Sequence, residues 1–311
     1  MRRIAQSLAL AALALSVLLA ACARWPGGPG GSGGPGGSTA PSAPTAHPVG
    51  DDLVLRIEYG GGMIRDFFLT SFPTFTMTGD GRVIVPGAQI DIFPGPALPA
   101  VTVRQLTEDG IQAVLSEVAQ TGLFSTSAEF RGAQNFVADA GDTILTLHAG
   151  GEDVVITVYG LGTLDPAGNY PGVSEAELAA HRTLSHLVEE LGNLGAQLPA
   201  SAWVDTGWNP YQPEALRLLV RNADADPPDE SGIGNGLLDW PVDSDPATFG
   251  DLTPGGDQRC GVVSGQEAKD WYAALSGANQ LTRFVNGDHR YAVTVRFQLP
   301  DEPLECPQPA A

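Results

Sequence analysis

Residues 53–59 place Leu53, Leu55, Ile57 and Tyr59 on one face and Val54, Arg56 and Glu58 on the other, an alternation that predicts a half-buried strand closed by Gly60-Gly61-Gly62. Residues 74–77 and 82–85 flank Gly79-Asp80-Gly81, which predicts a hairpin, and residues 143–148 and 154–159 repeat the arrangement across Gly150-Gly151. Helical spacing takes over between them. Thr107 is placed to cap a helix whose first turn carries Glu108 and Asp109, whose apolar stripe is Ile111, Val114, Leu115 and Val118, and whose stop is Gly122. Ser174-Glu175-Ala176-Glu177 reads as a capping box opening a longer helix with Leu184, Leu187, Val188 and Leu191 apolar, closed at Gly192 or Gly195.

After the Trp- and Pro-rich passage 199–213 the same grammar returns. Residues 216–221 read as a strand and residues 222–257 as an acidic loop. Ser264-Gly265-Gln266-Glu267 is a third capping signal, Ala268, Trp271, Tyr272 and Leu275 form its buried stripe, and Gly277 stops the helix. Residues 281–285 turn through Asn286-Gly287 into 291–299, where Tyr291, Val293, Val295, Phe297 and Leu299 alternate with polar neighbours. Strands in hairpins followed by helices predict an α+β fold of two small domains, residues 51–199 and 200–311, each an antiparallel sheet with helices packed on one face. A helix followed by a hairpin occurs in both halves, which is compatible with duplication.

Two positive charges, Arg2 and Arg3, precede an apolar run over residues 4–19 that ends in Leu19-Ala20-Ala21-Cys22. This order reads as a secretory signal with a small-residue cleavage site. The cysteine directly after that site resembles the lipobox of bacterial prolipoproteins. That resemblance implies a signal peptide over 1–21, a diacylglyceryl thioether on Cys22, an acylated new N-terminus with fatty chains such as palmitate, and an extracytoplasmic life on the cell membrane. The competing reading is an uncleaved membrane helix, since the run nearly suffices to span a bilayer. Residues 22–50 are mostly Gly, Pro, Ser and Thr, a tether whose composition buries too little to fold and whose reach is about 30 Å.

Charge narrows the partners. Of 311 residues 16 are basic and 36 acidic, and losing Arg2 and Arg3 with the signal leaves 14 basic residues and a net charge of −22. Such a field repels nucleic acid, so a nucleic-acid partner is not expected. Lys269 is the only lysine, which excludes a Ser-x-x-Lys acylation motif and a P-loop. Of three cysteines Cys22 is assigned to lipid, and Cys260 and Cys306 then pair as a disulfide in an oxidising compartment. Closing a loop of that length stabilises by about 4 kcal/mol on the chain-entropy model. A metal reading of that pair would have only His289 to draw on between them.

No reaction is written in the remaining chemistry. His47 falls in the tether, and His148 and His289 lie on or beside strands, where structural roles are commonest. His181 and His186 are five residues apart on one helix, a spacing that sends them to different faces and away from one metal. Ser264 in Gly261-Val262-Val263-Ser264-Gly265 misses the nucleophile elbow by one position, and capping accounts for it. The glycines from Gly232 to Gly236 lack the strand, spacing and helix of a dinucleotide site, so no cofactor is expected. Asp224, Asp226, Asp229 and Glu230, then Asp243 and Asp245, offer oxygen ligands for weakly bound calcium, against a solvated acidic loop as the plainer account. Trp203, Trp208, Tyr211 and Trp240 offer either a platform for a glycan or a partner protein, with Trp208, Tyr211 and Trp240 as its binding residues, or cover for an interdomain core.

Two stretches carry a wider resemblance. Thr78-Gly79-Asp80-Gly81-Arg82-Val83, with Gly122-Leu123-Phe124 and Asp142-Thr143, is similar to small domains of secreted bacterial proteins. Leu299-Pro300-Asp301-Glu302 before Cys306, with Arg259-Cys260 upstream, resembles the tail of bacterial lipoproteins of like layout. Together they span most of residues 51–306 and imply a shared fold and a surface-anchored life, with no activity to transfer. The expectation is a lipid-anchored envelope protein acting as a non-enzymatic binding or interaction module. The alternative is an envelope hydrolase using paired carboxylates of the acidic loop. A solute receptor fits less well, because the strand-helix alternation of a parallel sheet is missing.

Overall fold

The computed structural model describes residues 44–61, 67–165, 167–227 and 236–307; Cys22, the signal, most of the tether, Asp229, Glu230 and the glycines 232–235 lie outside them. In chain order the elements are β1 (Leu53–Gly60), α1 (Phe67–Thr70), β2 (Phe75–Thr78), β3 (Arg82–Pro86), β4 (Val101–Gln105), α2 (Glu108–Gln120), β5 (Ala128–Phe130), β6 (Asp142–Ala149), β7 (Glu152–Tyr159) and α3 (Glu175–Gly192). They continue with α4 (Leu194–Gln197), β8 (Asn209–Pro210), β9 (Ala215–Asn222), β10 (Leu237–Asp239), β11 (Asp251–Leu252), β12 (Arg259–Ser264), α5 (Gly265–Ser276), β13 (Arg283–Asn286) and β14 (His289–Phe297). The strands form an eight-stranded sheet, β5-β7-β6-β1-β2-β3-β4-β8, and a six-stranded sheet, β10-β13-β14-β9-β12-β11. This is the expected α+β fold of two sheet domains. The sheets are mixed rather than purely antiparallel, because β5 joins β7 and β10 joins β13 in parallel at their edges.

The three expected hairpins are present, with Met77 opposite Val83, His148 opposite Asp153, and Asn286 opposite His289. Helix α2 is capped as its sequence dictates: Thr107 Oγ1 accepts from Gly110 N at 3.2 Å, and Gly122 follows the helix at φ 67°. At α3 half of the capping box forms. Ser174 Oγ accepts from Glu177 N at 3.1 Å, but the Glu177 carboxylate accepts from Gly132 N at 2.5 Å and so ties the helix to the 3-10 turn Gly132–Asn135. The third capping signal fails. Ser264 makes no side-chain cap bond, because Gly265 enters α5 at φ 60° and swings the first turn away from the Ser264 hydroxyl.

Helices α2 and α3 cover one face of the large sheet, where Leu55, Ile57, Phe75, Met77, Leu145 and Ile156 meet Val114, Leu115 and Leu184 in an aliphatic core. The other face is covered as well. Val83 belongs to that core while its neighbour Ile84, with Val101 of β4, joins a second core around Trp240, Trp271, Phe284 and Phe297. Strand β1 is therefore buried on both sides over residues 54–57, which corrects the expectation of a half-buried strand, and Arg56 is only 9% exposed. The chain also stays with the large sheet past residue 199. Ala202 and Trp203 lie in its core and β8 pairs with β4, so the passage to the small sheet falls at Tyr211.

The end of the tether is fixed rather than free. Gly150 N donates to Ala46 O at 2.6 Å and Gln112 holds both the Thr45 amide and carbonyl. Pro48 passes so close to Gly79 that a Cβ there would lie 2.3 Å from the Pro48 carbonyl oxygen, and glycine alone allows the approach.

Candidate functional site

The expected aromatic platform does not form. Tyr211 is 5% exposed, its hydroxyl donates to Gln298 O at 3.2 Å, and burial pushes its pKa up to about 12. Trp240 is 9% exposed and lies edge-on to Trp271, with ring centroids 4.6 Å apart, among Phe249, Phe284 and Tyr291. Trp203 is buried too, with the Arg104 guanidinium 4.0 Å from its ring centre. Trp208 alone of the four is half-exposed, leaning on the Trp203 ring edge at 5.9 Å. Large apolar rings gain most by leaving water, and Tyr211 and Trp240 fill the core of the small sheet while Trp203 fills that of the large one.

Asp224, Asp226, Asp243 and Asp245, the calcium candidates among the described residues, do not converge either. Asp224 takes His289 Nδ1 at 2.7 Å and accepts from Arg290 N at 2.8 Å, and these bonds, His289's first, hold its carboxyl at about 2. Asp226 bridges Arg221, at 2.6 and 2.9 Å, and Arg283, at 3.1 Å. Asp243 and Asp245 stand on an exposed turn where Asp245 Oδ1 accepts from Ala247 N at 2.9 Å. Among the described residues no three His, Cys, Asp or Glu side chains are grouped to hold a metal ion. Hydrogen bonding to cations and turn amides engages Asp224, Asp226 and Asp245.

The histidines divide by role. His148 Nδ1 bonds Asp153 across the hairpin at 2.5 Å, and His47 Nε2 bonds Glu108 at 3.2 Å. His181 and His186, expected on different faces of α3, both border one groove beneath the loop after β7. His181 is 4% exposed with no hydrogen-bond partner on either ring nitrogen, and burial holds its pKa below the ordinary value.

What the structure assembles instead is a strap. The disulfide Cys260–Cys306, with Cα atoms 6.1 Å apart, ties the segment 299–306 to β12. Within that strap Glu302 takes Arg296 through two bonds of 2.6 Å and accepts from Leu299 N at 2.9 Å. Asp301 reaches the large sheet and accepts from Arg56 Nη2 at 2.6 Å. Burial would raise the Glu302 pKa, but the Arg296 guanidinium outweighs it and holds the carboxyl below its ordinary range. Glu58 nearby is moved the other way, since burial outweighs the attraction of Arg56. Arg217, inside the same joint, donates to Leu69 O at 3.3 Å and is lowered by burial to about 10.

Beside the strap lies a cleft of about 680 Å³. Its walls are the start of β9, the first turns of α5 and the strap, contributing Glu214, Ser264, Ala268, Lys269, Tyr272 and Leu304. Ser264, which makes no cap bond, is among the lining residues, but no histidine lines the cleft to act as its base. Apolar walls with a few polar groups at the rim suit recognition of an apolar group. Sequence reasoning missed the cleft because its elements come from residues 212–215, 264–273 and 304. The Gly265 that opens it was legible only as a helix signal.

Among the described residues no helix is long and apolar enough to cross a membrane. No family model matches the chain, and no curated protein or solved structure matches it.

Proposed function

We propose that the protein is a lipid-anchored cell-envelope lipoprotein, held at the extracytoplasmic face of the membrane through Cys22, and that it binds a ligand rather than transforming it. The cleft beside the strap is its ligand seat. The observation that carries this reading is the cleft's composition: Ala268, Tyr272 and Leu304 provide an apolar lining, and Glu214 and Lys269 are its charges. Such a seat favours an apolar side chain of a partner envelope protein, or the apolar face of a glycan, with the rim setting orientation. What supports binding over hydrolysis is that Asp224 and Asp226 are each engaged by basic groups, leaving no free carboxylate pair between them. A photo-crosslinking side chain at position 273, in the cleft wall, tests this in intact cells. A discrete adduct is expected from 273 and not from Val204, which is 60% exposed elsewhere. Equal yields from the two positions would contradict the proposal.

A further inference from the structure

The groove between α3 and the loop after β7 has features that the strap cleft lacks. It encloses about 320 Å³, with Leu164 and Leu178 as apolar lining and His181, Arg182, Ser185 and Glu189 as polar lining. His181 is 4% exposed, and both of its ring nitrogens are without a partner. A neutral imidazole offers one donor and one acceptor, and a buried one keeps its place only if something satisfies them.

Arg182 stands out by comparison with its kind. Among the described residues every other arginine is engaged by a carboxylate or a carbonyl oxygen, while Arg182 makes no hydrogen bond or ion pair. In a chain with 36 acidic against 16 basic residues, an arginine without a partner among the described residues is unusual. Glu189 lies two turns further along the same helix, about 10 Å away along its axis, and makes no ion pair among the described residues. Asp165 at the loop side is engaged by Ala167 N at 2.9 Å.

We propose that this groove binds a small zwitterion of the amino-acid type, its carboxylate on Arg182, its ammonium on Glu189, and its apolar side chain against Leu164 and Leu178. His181 then donates to or accepts from the ligand's polar atoms, and Ser185, one turn on, supplies a further hydroxyl. The whole-molecule charge chooses between a zwitterion and a plain anion. A net charge of −20 repels an anion but leaves a neutral zwitterion unopposed, and Glu189 inside the groove adds a local term of the same sign. This site is independent of the anchor and of the strap cleft.

Calorimetry on the full-length protein in detergent tests it, with L-leucine and leucyl-leucine as probes and leucinamide and N-acetyl-L-leucine as their charge-blocked counterparts. A saturable heat is expected from at least one zwitterion, with both blocked forms weaker by about tenfold or more. Arg182→Ala and Glu189→Gln are expected to lose about tenfold each while melting like the wild type, since both positions are exposed. The His181 ring nitrogen resonances should shift with the same saturation. No saturable heat from either zwitterion up to about 20 mM would overturn the proposal. So would N-acetyl-L-leucine binding as tightly as leucine, or an unchanged Arg182→Ala variant.

Discussion

The two sheets solve one problem by different means. The large sheet is aliphatic inside and closed by α2 and α3, each with a Ser or Thr cap made as its sequence dictates. The small sheet has α5, entered without a cap bond, and the single turn of α1, whose Leu69 packs on Leu219 and Cys260, and relies on an aromatic cluster, a disulfide and a strap of buried ion pairs. Where helices cover a sheet, local signals and periodic stripes suffice. Where loops must cover it, cross-links and large rings take over, and the groups that carry the fold come from distant parts of the chain.

Removing the centre of the aromatic cluster should break the small sheet first. Trp271→Ala deletes a fully buried ring that touches Trp240 and Phe284, and an equilibrium denaturant titration is expected to show a loss of about 3–5 kcal/mol. Replacing both Cys260 and Cys306 by serine releases the strap, for which the same titration should give about 4 kcal/mol. Glu302→Ala leaves Arg296, itself 4% exposed, without its carboxylate and is expected to cost about 3 kcal/mol. The caps give the sharpest contrast at the smallest scale. Thr107→Ala should cost about 1 kcal/mol, while Ser264→Ala should cost less than about 0.3 kcal/mol because no cap bond exists to lose. Equal costs at the two positions would dissolve the distinction between the sheets.

Acid separates the two regions further. Glu302 has a folded-state pKa below its ordinary 4.5, so its stabilisation is fully present above that value and is lost as pH falls through the lower one. Glu58 is raised above 4.5, so its ionisation opposes folding at neutral pH and the penalty fades as pH falls through the raised value. Glu302→Gln should flatten the decline of the melting temperature below pH 4.5, and Glu58→Gln should raise the neutral-pH melting temperature.

The same contrast explains what could be read in advance. The hairpins, α2, α3 and the disulfide follow from patterns within a few residues or from cysteine count alone. Strand β12 was hidden by Gly261, which breaks its alternation and packs a Phe249 ring where a Cβ would stand 2.6 Å from a carbon atom of that ring. The parallel edge strands β5 and β10 are three residues each, too short for any period. Arg56 looked like a solvent-facing residue because its partner, Asp301, lies 245 positions away. Trp240 and Tyr211 looked displayable because composition cannot tell a platform from a core. Ser264 carried a sound capping pattern, and a single glycine at positive φ annulled it.

The proposed place of both sheets at the membrane rests on Cys22, and intact mass measurement of the N-terminal peptide from isolated membranes tests that directly. The expected result is a peptide beginning at Cys22 that carries the mass of a diacylglyceryl thioether and an N-acyl chain. A peptide starting at another residue, or Cys22 with a free thiol, would contradict it.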